Sequence, residues 1–410
     1  MDNIFLSELK IEHVRHLKNI TISLSDKKIK HLILTGKNGS GKTSVLEALA
    51  RYLDEERLVR LAGSRYDSNH GGGCRNEDGT TAAAAVQAVL NLTFNQSLDA
   101  ISTGLMRGEF VMAYYKAERL FRAEVPKHIE KVDLKDKYAI TDGPGREVIR
   151  YLLDLKATEA FARNNGKGEK ADGIKRWFDR FRDLLRKIFN DDSLELIFEE
   201  DTFSFHIKEK DKELFDFNTL SGGYGAVLDI VLDMMMRMEK KTKRSFDFNV
   251  PGIVLVDEIE THLHIELQKA ILGLLTTIFP NIQFIVSTHS PFILGSIQDA
   301  VIYDLEKNIL VENGLADIPY GGIVEGYFQS SEMSKILEEK FTRYKQLVGK
   351  ANLTDDDFEE IAELEMFLNE IPDYLALNIT TEYQRLKLEL GPSLSGDRST
   401  KEIRRLPGRD

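Results

Sequence analysis

Between residues 4 and 24 apolar and polar side chains alternate, with Phe5, Leu9 and Ile11 before the segment His13-Val14-Arg15-His16 and Ile20, Ile22 and Leu24 after it. A period of two on either side of a short polar break predicts a hairpin of two strands. The run His31-Leu32-Ile33-Leu34 predicts a short buried strand. Val45, Leu46, Leu49 and Leu53 then fall on one face of a helix, as packing on a sheet requires. Further strands are expected at 86–94 and 109–115, and a strand pair in 191–208. Ile174, Trp177, Phe178, Phe181, Leu184, Leu185 and Ile188 recur at helical spacing, while Lys175, Arg176, Arg180, Arg182, Arg186 and Lys187 take the other positions, which predicts an amphipathic helix with a basic face. Two continuous apolar runs, 253–256 and 282–286, flank a helix expected over 263–279. That order is a βαβ unit of a parallel sheet, so the fold class is α/β. After Asp304 the pattern turns helical: Met333, Ile336, Leu337, Phe341, Tyr344 and Val348 mark one helix, and Phe358, Ile361, Leu364, Phe367 and Ile371 a second.

The expected organisation is therefore a head over 1–330 with a helical insertion at about 145–190, a helical hairpin over 331–390, and a polar tail over 391–410 expected to be disordered. A Gly/Asn/Ser-rich stretch between Gly63 and Thr80 has no periodicity and is expected to be a mobile loop. Lys and Arg total 55 against 67 Asp and Glu, a formal net charge of -12, which argues against a general nucleic-acid coat unless basic residues cluster locally. Cys74 is the single cysteine, which excludes an intrachain disulfide and a cysteine-rich zinc site. With no signal pattern and no apolar run long enough to cross a bilayer, the chain is expected to be soluble, cytoplasmic and without a membrane partner.

The chemistry sits at the ends of the expected strands. Gly36-Lys37-Asn38-Gly39-Ser40-Gly41-Lys42-Thr43, followed by Ser44, is a phosphate-binding loop between a strand and a helix. Its glycines let backbone N–H groups converge on phosphate oxygens, Lys42 reaches the β- and γ-phosphates and Thr43 ligands Mg²⁺. The 253–256 run ends in Asp257-Glu258. Asp257 suits Mg²⁺ and Glu258 suits polarising the attacking water, although acidic pairs at solvated strand ends are common. Ser221-Gly222-Gly223 precedes Ala226, Val227, Ile230, Val231 and Met234, which reads either as an anion-binding helix start or as a plain Ser-capped helix. His289 ends the 282–286 run in Ser287-Thr288-His289-Ser290-Pro291, where a structural role competes with a catalytic one.

Taken together and in this order, the motifs resemble those of ABC-class ATPase heads of the SMC/RecF/OLD branch, a resemblance that covers about residues 4–305. It implies an ABC-type head: a mixed sheet with antiparallel N-terminal strands and a parallel core, binding ATP and Mg²⁺. It also implies that Ser221, Gly222 and Gly223 grip the γ-phosphate of ATP held by another subunit, that His289 senses that phosphate, and that the chain works as a homodimer or higher homo-oligomer. Asp257-Glu258-Ile259-Glu260-Thr261-His262-Leu263-His264 is similar to OLD-like ATPases. The stretches 283–291 and Val324-Glu325-Gly326-Tyr327-Phe328 resemble the PtuA family of Septu and retron-associated anti-phage modules, with the AriA family of PARIS as a competitor. From that resemblance follow an HNH-type nuclease partner, a retron reverse transcriptase with its DNA as a further partner, and slow or regulated hydrolysis. A RecF-like DNA-repair clamp, with nucleic-acid contact through the basic helix, is the alternative. The chain departs from SMC proteins in lacking a long coiled coil and from OLD nucleases in turning helical after Asp304. Tyr224 stands where transporters have Gln. Gln96 and the segment Lys116-Ala117-Glu118-Arg119 compete as the Gln-loop counterpart, and Arg15 is a nucleotide-contact candidate.

Overall fold

The computed structural model describes residues 3–54, 58, 90–119, 121–328, 333–350, 352–371 and 381–388; the stretch between Gly63 and Thr80 and the 391–410 tail lie outside the described residues. Two compact units divide the chain, Met1–Ile323 and Val324–Asp410, so the division falls somewhat before residue 330.

In the first unit the N-terminal alternation becomes β1 (Leu6–Val14) and β2 (Leu17–Ser23), followed by β3 (His31–Thr35), α1 (Lys42–Tyr52), β4 (Leu90–Phe94), α2 (Leu98–Met106) and β5 (Val111–Tyr115). The insertion is α3 (Val148–Asn164) and α4 (Gly168–Phe189). Then come β6 (Glu195–Glu199), β7 (Ser204–Lys208), a two-residue β8 (Phe215–Asp216) that the sequence pattern did not disclose, and α5 (Gly222–Glu239). The unit closes with β9 (Gly252–Val256), α6 (Ile265–Ile278), β10 (Ile282–Ser287), α7 (Pro291–Leu294), β11 (Ala300–Asp304) and β12 (Ile309–Val311).

The central sheet has the order β12-β11-β3-β10-β9-β5, parallel throughout except for β12 at its edge. Every residue of β3, β9, β10 and β11 is buried, the signature of a sheet covered on both faces and the reason these strands read as continuous apolar runs. The antiparallel strands stand in their own sheet, β2-β1-β4, and β6-β7-β8 form a third. Leu9, Ile11, Ile20 and Ile22 from the antiparallel sheet, Val45, Leu46 and Leu49 from α1, and Leu255, Ile285 and Val301 from the parallel sheet share one core cluster. α1 and the antiparallel sheet thus cover one face of the central sheet.

Gln283 joins those two sheets. Fully buried within β10, its Oε1 accepts from the Leu6 N–H at 2.7 Å, and its Nε2 donates to the carbonyls of Leu6 at 3.0 Å and Lys30 at 2.7 Å. A buried donor or acceptor left without its partner costs more than the bond gains. Gln283→Leu, close in volume but unable to bond, is accordingly expected to destabilise the fold by about 2–3 kcal/mol in a urea unfolding titration. A loss below about 0.5 kcal/mol would show that water replaces these bonds.

α5 is buried nearly all round, with Met234, Met235, Met236 and Met238 fully enclosed, which is why its apolar positions show no single stripe. Two buried carboxylates tie it to its surroundings. Asp233 accepts from Tyr115 Oη at 2.6 Å, Arg237 Nε at 2.7 Å and the Gly145 N–H at 3.0 Å, and Arg237 donates further to the carbonyls of Met112, Ala139 and Asp142. At the far end the buried Glu239 accepts from Tyr151 of α3 at 2.9 Å and Trp177 of α4 at 2.6 Å. Burial raises the Glu239 pKa above the usual carboxylate range, against those two hydrogen bonds.

The second unit contains α8 (Lys335–Val348) and α9 (Asp355–Asn369), packed through Phe341, Tyr344, Leu347, Ile361, Leu364, Leu368 and Tyr383. Ile336 and Phe358, expected on the buried stripes, are exposed; each sits a residue or more off the face that its helix buries. Thr354 and Asp357 form a reciprocal cap at the start of α9. A side-chain bond from Lys350 at 2.6 Å, with the Thr354 N–H, holds Asp357 down at about 2. The 355–357 acidic run is thereby a helix start.

Candidate nucleotide site

The phosphate loop spans the end of β3 and the start of α1, and its shape follows from three positive φ angles: Gly36 at 127°, Gly39 at 84° and Gly41 at 99°. A side chain at Gly36 would in addition bring a Cβ within 2.9 Å of Ser40 Oγ and 3.3 Å of Asp304 Oδ1. Only glycine suits that position. Lys42 folds back over the loop, with Nζ donating to the carbonyls of Gly36 at 2.8 Å and Lys37 at 3.1 Å. Burial lowers its pKa, opposed by the carboxylates of Glu258, Glu260, Asp257 and Asp304. Ser40 Oγ is buried without a hydrogen-bond partner. A glycine-shaped loop at a helix start, with a cationic amine folded over it, is built for an anion.

Asn38, Gly39, Gly41, Lys42, Thr43 and Ser44 line one cleft with Glu258, His289, Arg15 and His16, and Lys37 lines the adjoining opening with Asn38, Glu258 and His289. Strand register explains the convergence: β3, β10 and β9 are neighbours in parallel, so their C-terminal ends, where the loop, His289 and the acidic pair follow, emerge on the same edge. Ligands in open α/β sheets bind at that edge. Arg15, at φ 52°, and His16 occupy the β1–β2 turn that overhangs the loop. His16 is a cleft residue that the sequence alone does not single out, since a histidine in a polar turn carries no pattern.

Asp257 is buried, its Oδ1 accepting from Ser287 Oγ at 2.5 Å, and the same hydroxyl accepts from the Glu258 N–H at 2.7 Å. Glu260 Oε1 accepts from the His289 N–H at 2.5 Å. Burial, then the Lys42 charge, lowers the pKa of His289, so its imidazole is neutral near pH 7. Thr43 and Asp257 supply one hydroxyl and one carboxylate. With phosphate oxygens these make the hard-oxygen donor set that suits Mg²⁺.

Ser221, Gly222 and Gly223 do not line this cleft. They sit at the start of α5 with Ser221 and Gly222 exposed, packed near the turn that follows β9: a Cβ on Gly223 would lie 3.2 Å from the His262 carbonyl. Ser97, Ser290, Ser334 and Thr354 each cap their helix through the side chain, whereas Ser221 makes no such bond. Gln96 lies between β4 and α2, away from the cleft lining, while 116–119 continues β5 alongside the acidic turn.

A phosphate loop at the edge of a parallel sheet, with an acidic pair and a histidine on the neighbouring strand ends, defines an α/β P-loop ATPase head. Comparison with known proteins agrees. Over 380 residues the chain is 24% identical to Septu protein PtuA of Bacillus mycoides (strain KBAB4), covering 88% of this chain and 50% of PtuA. It is 30% identical over 149 residues to the retron Ec83 probable ATPase of Escherichia coli, covering 35% of this chain and 27% of that protein. The chain thus spans half or less of the length of these curated relatives. Residues 145–295 match the family described as "AAA domain, putative AbiEii toxin, Type IV TA system". Among solved structures, an SMC head bound to the C-terminal winged-helix domain of ScpA aligns over 76% of this chain and 98% of its own, at 16% identity and a TM-score of 0.40. The chain is thus similar over most of its length to PtuA, and over 52 residues, 13% of this chain and 14% of that protein, it is 46% identical to the DNA replication and repair protein RecF of Rickettsia typhi (strain ATCC VR-144 / Wilmington). No described helix is long and apolar enough to cross a membrane.

Proposed function

We propose that this chain binds and hydrolyses ATP at composite sites shared by two copies of itself, and that the closing and opening of the pair controls a separate effector in anti-phage defence. One observation carries the reading: Lys42, Thr43, Glu258 and His289 line a single cleft, while Ser221, with no capping bond of its own, lies outside it. Each chain offers half a site and an unused anion-binding helix start. Glu258 takes the proton of a water whose oxygen attacks the γ-phosphorus as the bond to ADP breaks. Lys42 and the loop N–H groups hold the phosphates, and His289 presents a ring nitrogen to the γ-phosphate side. Mg²⁺ held by Thr43 and Asp257 would supply positive charge against the phosphate oxygens.

The effector role rests on the similarity to PtuA, and an HNH-type nuclease is the partner it favours. A DNA clamp through α4 is less well supported, because three of the helix's four arginines are engaged within the chain: Arg180 donates to the Ser245 carbonyl, Arg182 pairs with Asp179 at 3.1 Å and Arg186 with Asp183 at 3.3 Å.

Complementation tests the shared site. Lys42→Ala removes the phosphate ligand and Ser221→Arg blocks the helix start, so each variant alone is expected to lose ATP turnover. In a mixed dimer the intact Lys42 of one chain meets the intact Ser221 of the other, and mixing should restore activity. If mixtures stay as inactive as either parent, the two half-sites act within one chain or not at all.

A further inference from the structure

Residues 116–119 leave the end of β5, and because Tyr115 lies opposite Val256 in the parallel β5–β9 pair, they run beside the turn that carries Glu258. From this irregular segment Arg119 reaches into the protein until only 4% of it is exposed. Its Nη1 donates to the carbonyls of Lys116 at 3.0 Å and Asp257 at 2.6 Å, and its Nη2 to those of Glu258 at 3.0 Å and Ile259 at 3.3 Å. Three consecutive carbonyls turned toward one guanidinium is a geometry that neither strand nor helix provides. The cause is visible in the backbone. Glu258 has φ 44°, a left-handed conformation that a glutamate seldom adopts without outside support.

A planar fork of donors is the one side chain that serves several acceptors at once, and lysine could serve only part of the set. Burying this charge is unfavourable, and it is offset by the carboxylates around it, Asp229 of α5 foremost, then Glu260, Asp257 and Glu258. Nε is buried with no hydrogen-bond partner. The site therefore tolerates both a desolvated cation and an unsatisfied donor, at the position where the main chain turns the proposed base into the cleft.

We propose that Arg119 is a positioning residue of the nucleotide site: it holds the main chain of residues 257–259 so that the Glu258 carboxylate points at the attacking water. The proposal rests on the reading of Glu258 as the base. Arg119 itself lines no part of the cleft, so its loss should alter the reaction step and spare nucleotide binding.

The test uses the full chain and its variants Arg119→Lys, Arg119→Ala and Glu258→Gln, with binding of a fluorescent ATP analogue, steady-state hydrolysis and thermal unfolding read on each. For Arg119→Lys the expected result is a Kd within about twofold of the parent and a kcat lower by about 100-fold, the scale of a misplaced catalytic group. Millimolar guanidinium should raise the kcat of Arg119→Ala by entering the vacated space, and should leave Glu258→Gln unchanged. Wild-type kcat in Arg119→Lys overturns the proposal. So does a lowered unfolding temperature with unchanged turnover per folded molecule, or a loss of binding equal to the loss of kcat, since each marks a purely structural arginine. If Glu258→Gln hydrolyses ATP at the parent rate, the base assignment fails and this proposal with it; a slow Glu258→Gln beside a fast Arg119→Lys removes this proposal alone.

Discussion

Glu258→Gln is expected to slow ATP turnover about 1000-fold, within the range of general-base catalysis, while ATP binding stays intact. The amide keeps the size of the carboxylate but cannot take a proton. Nothing that shapes the phosphate loop depends on the Glu258 side chain: Gly36, Gly39 and Gly41 set its path, and Lys42 bonds to loop carbonyls. The Glu258 carboxylate makes a single bond to its own turn, from Thr261 Oγ1 at 3.4 Å, so little structure is lost with it. ATP that binds but is not cleaved should accumulate in the proposed closed pair, and size-exclusion chromatography with ATP should show a dimer that persists in this variant and dissociates in the parent chain. Turnover equal to the parent would remove Glu258 from the chemistry.

Asp233→Ala is expected to be the most destabilising single change, costing about 3–5 kcal/mol because it leaves a buried guanidinium without its counter-charge. Both members of the pair are nearly inaccessible, Asp233 at 3% and Arg237 at 5%. Removing the carboxylate also strips acceptors from Tyr115 Oη and the Gly145 N–H. Arg237 cannot retreat to solvent, since its remaining donors are held by the carbonyls of Met112, Ala139 and Asp142. Asp233→Asn, which keeps an acceptor and drops the charge, should fall between. Denaturant unfolding measures both, and a cost under about 1 kcal/mol for Asp233→Ala would mean that the pair is not desolvated in solution.

Much of the site could be read from sequence because its residues occupy positions that periodicity locates. The apolar runs of β3, β9 and β10 each end in a motif, so once the strands are found, Lys42, Glu258 and His289 fall at the same sheet edge. The antiparallel hairpin was legible for the same reason, since Leu9, Ile11, Ile20 and Ile22 alternate cleanly. What stayed hidden depends on partners far away in sequence. Gln283 looked like one polar residue in an apolar run, and its importance comes from Leu6 and Lys30 in another sheet. Arg119 stands in a segment with no period, and it matters only because β5 pairs with β9. Ser221 was visible, yet whether its hydroxyl capped its own helix could be seen only in three dimensions.

The helical insertion grips α5 at both ends. At the start, Tyr224 stacks on Phe189 of α4 with ring centroids 4.3 Å apart; at the finish, Trp177 of α4 and Tyr151 of α3 share one oxygen of Glu239. A close-packed rod held at two points has no slack along its length. The position of Ser221, one residue before α5 begins, is therefore set by the insertion as much as by the central sheet, and loosening either grip should move the start of the helix.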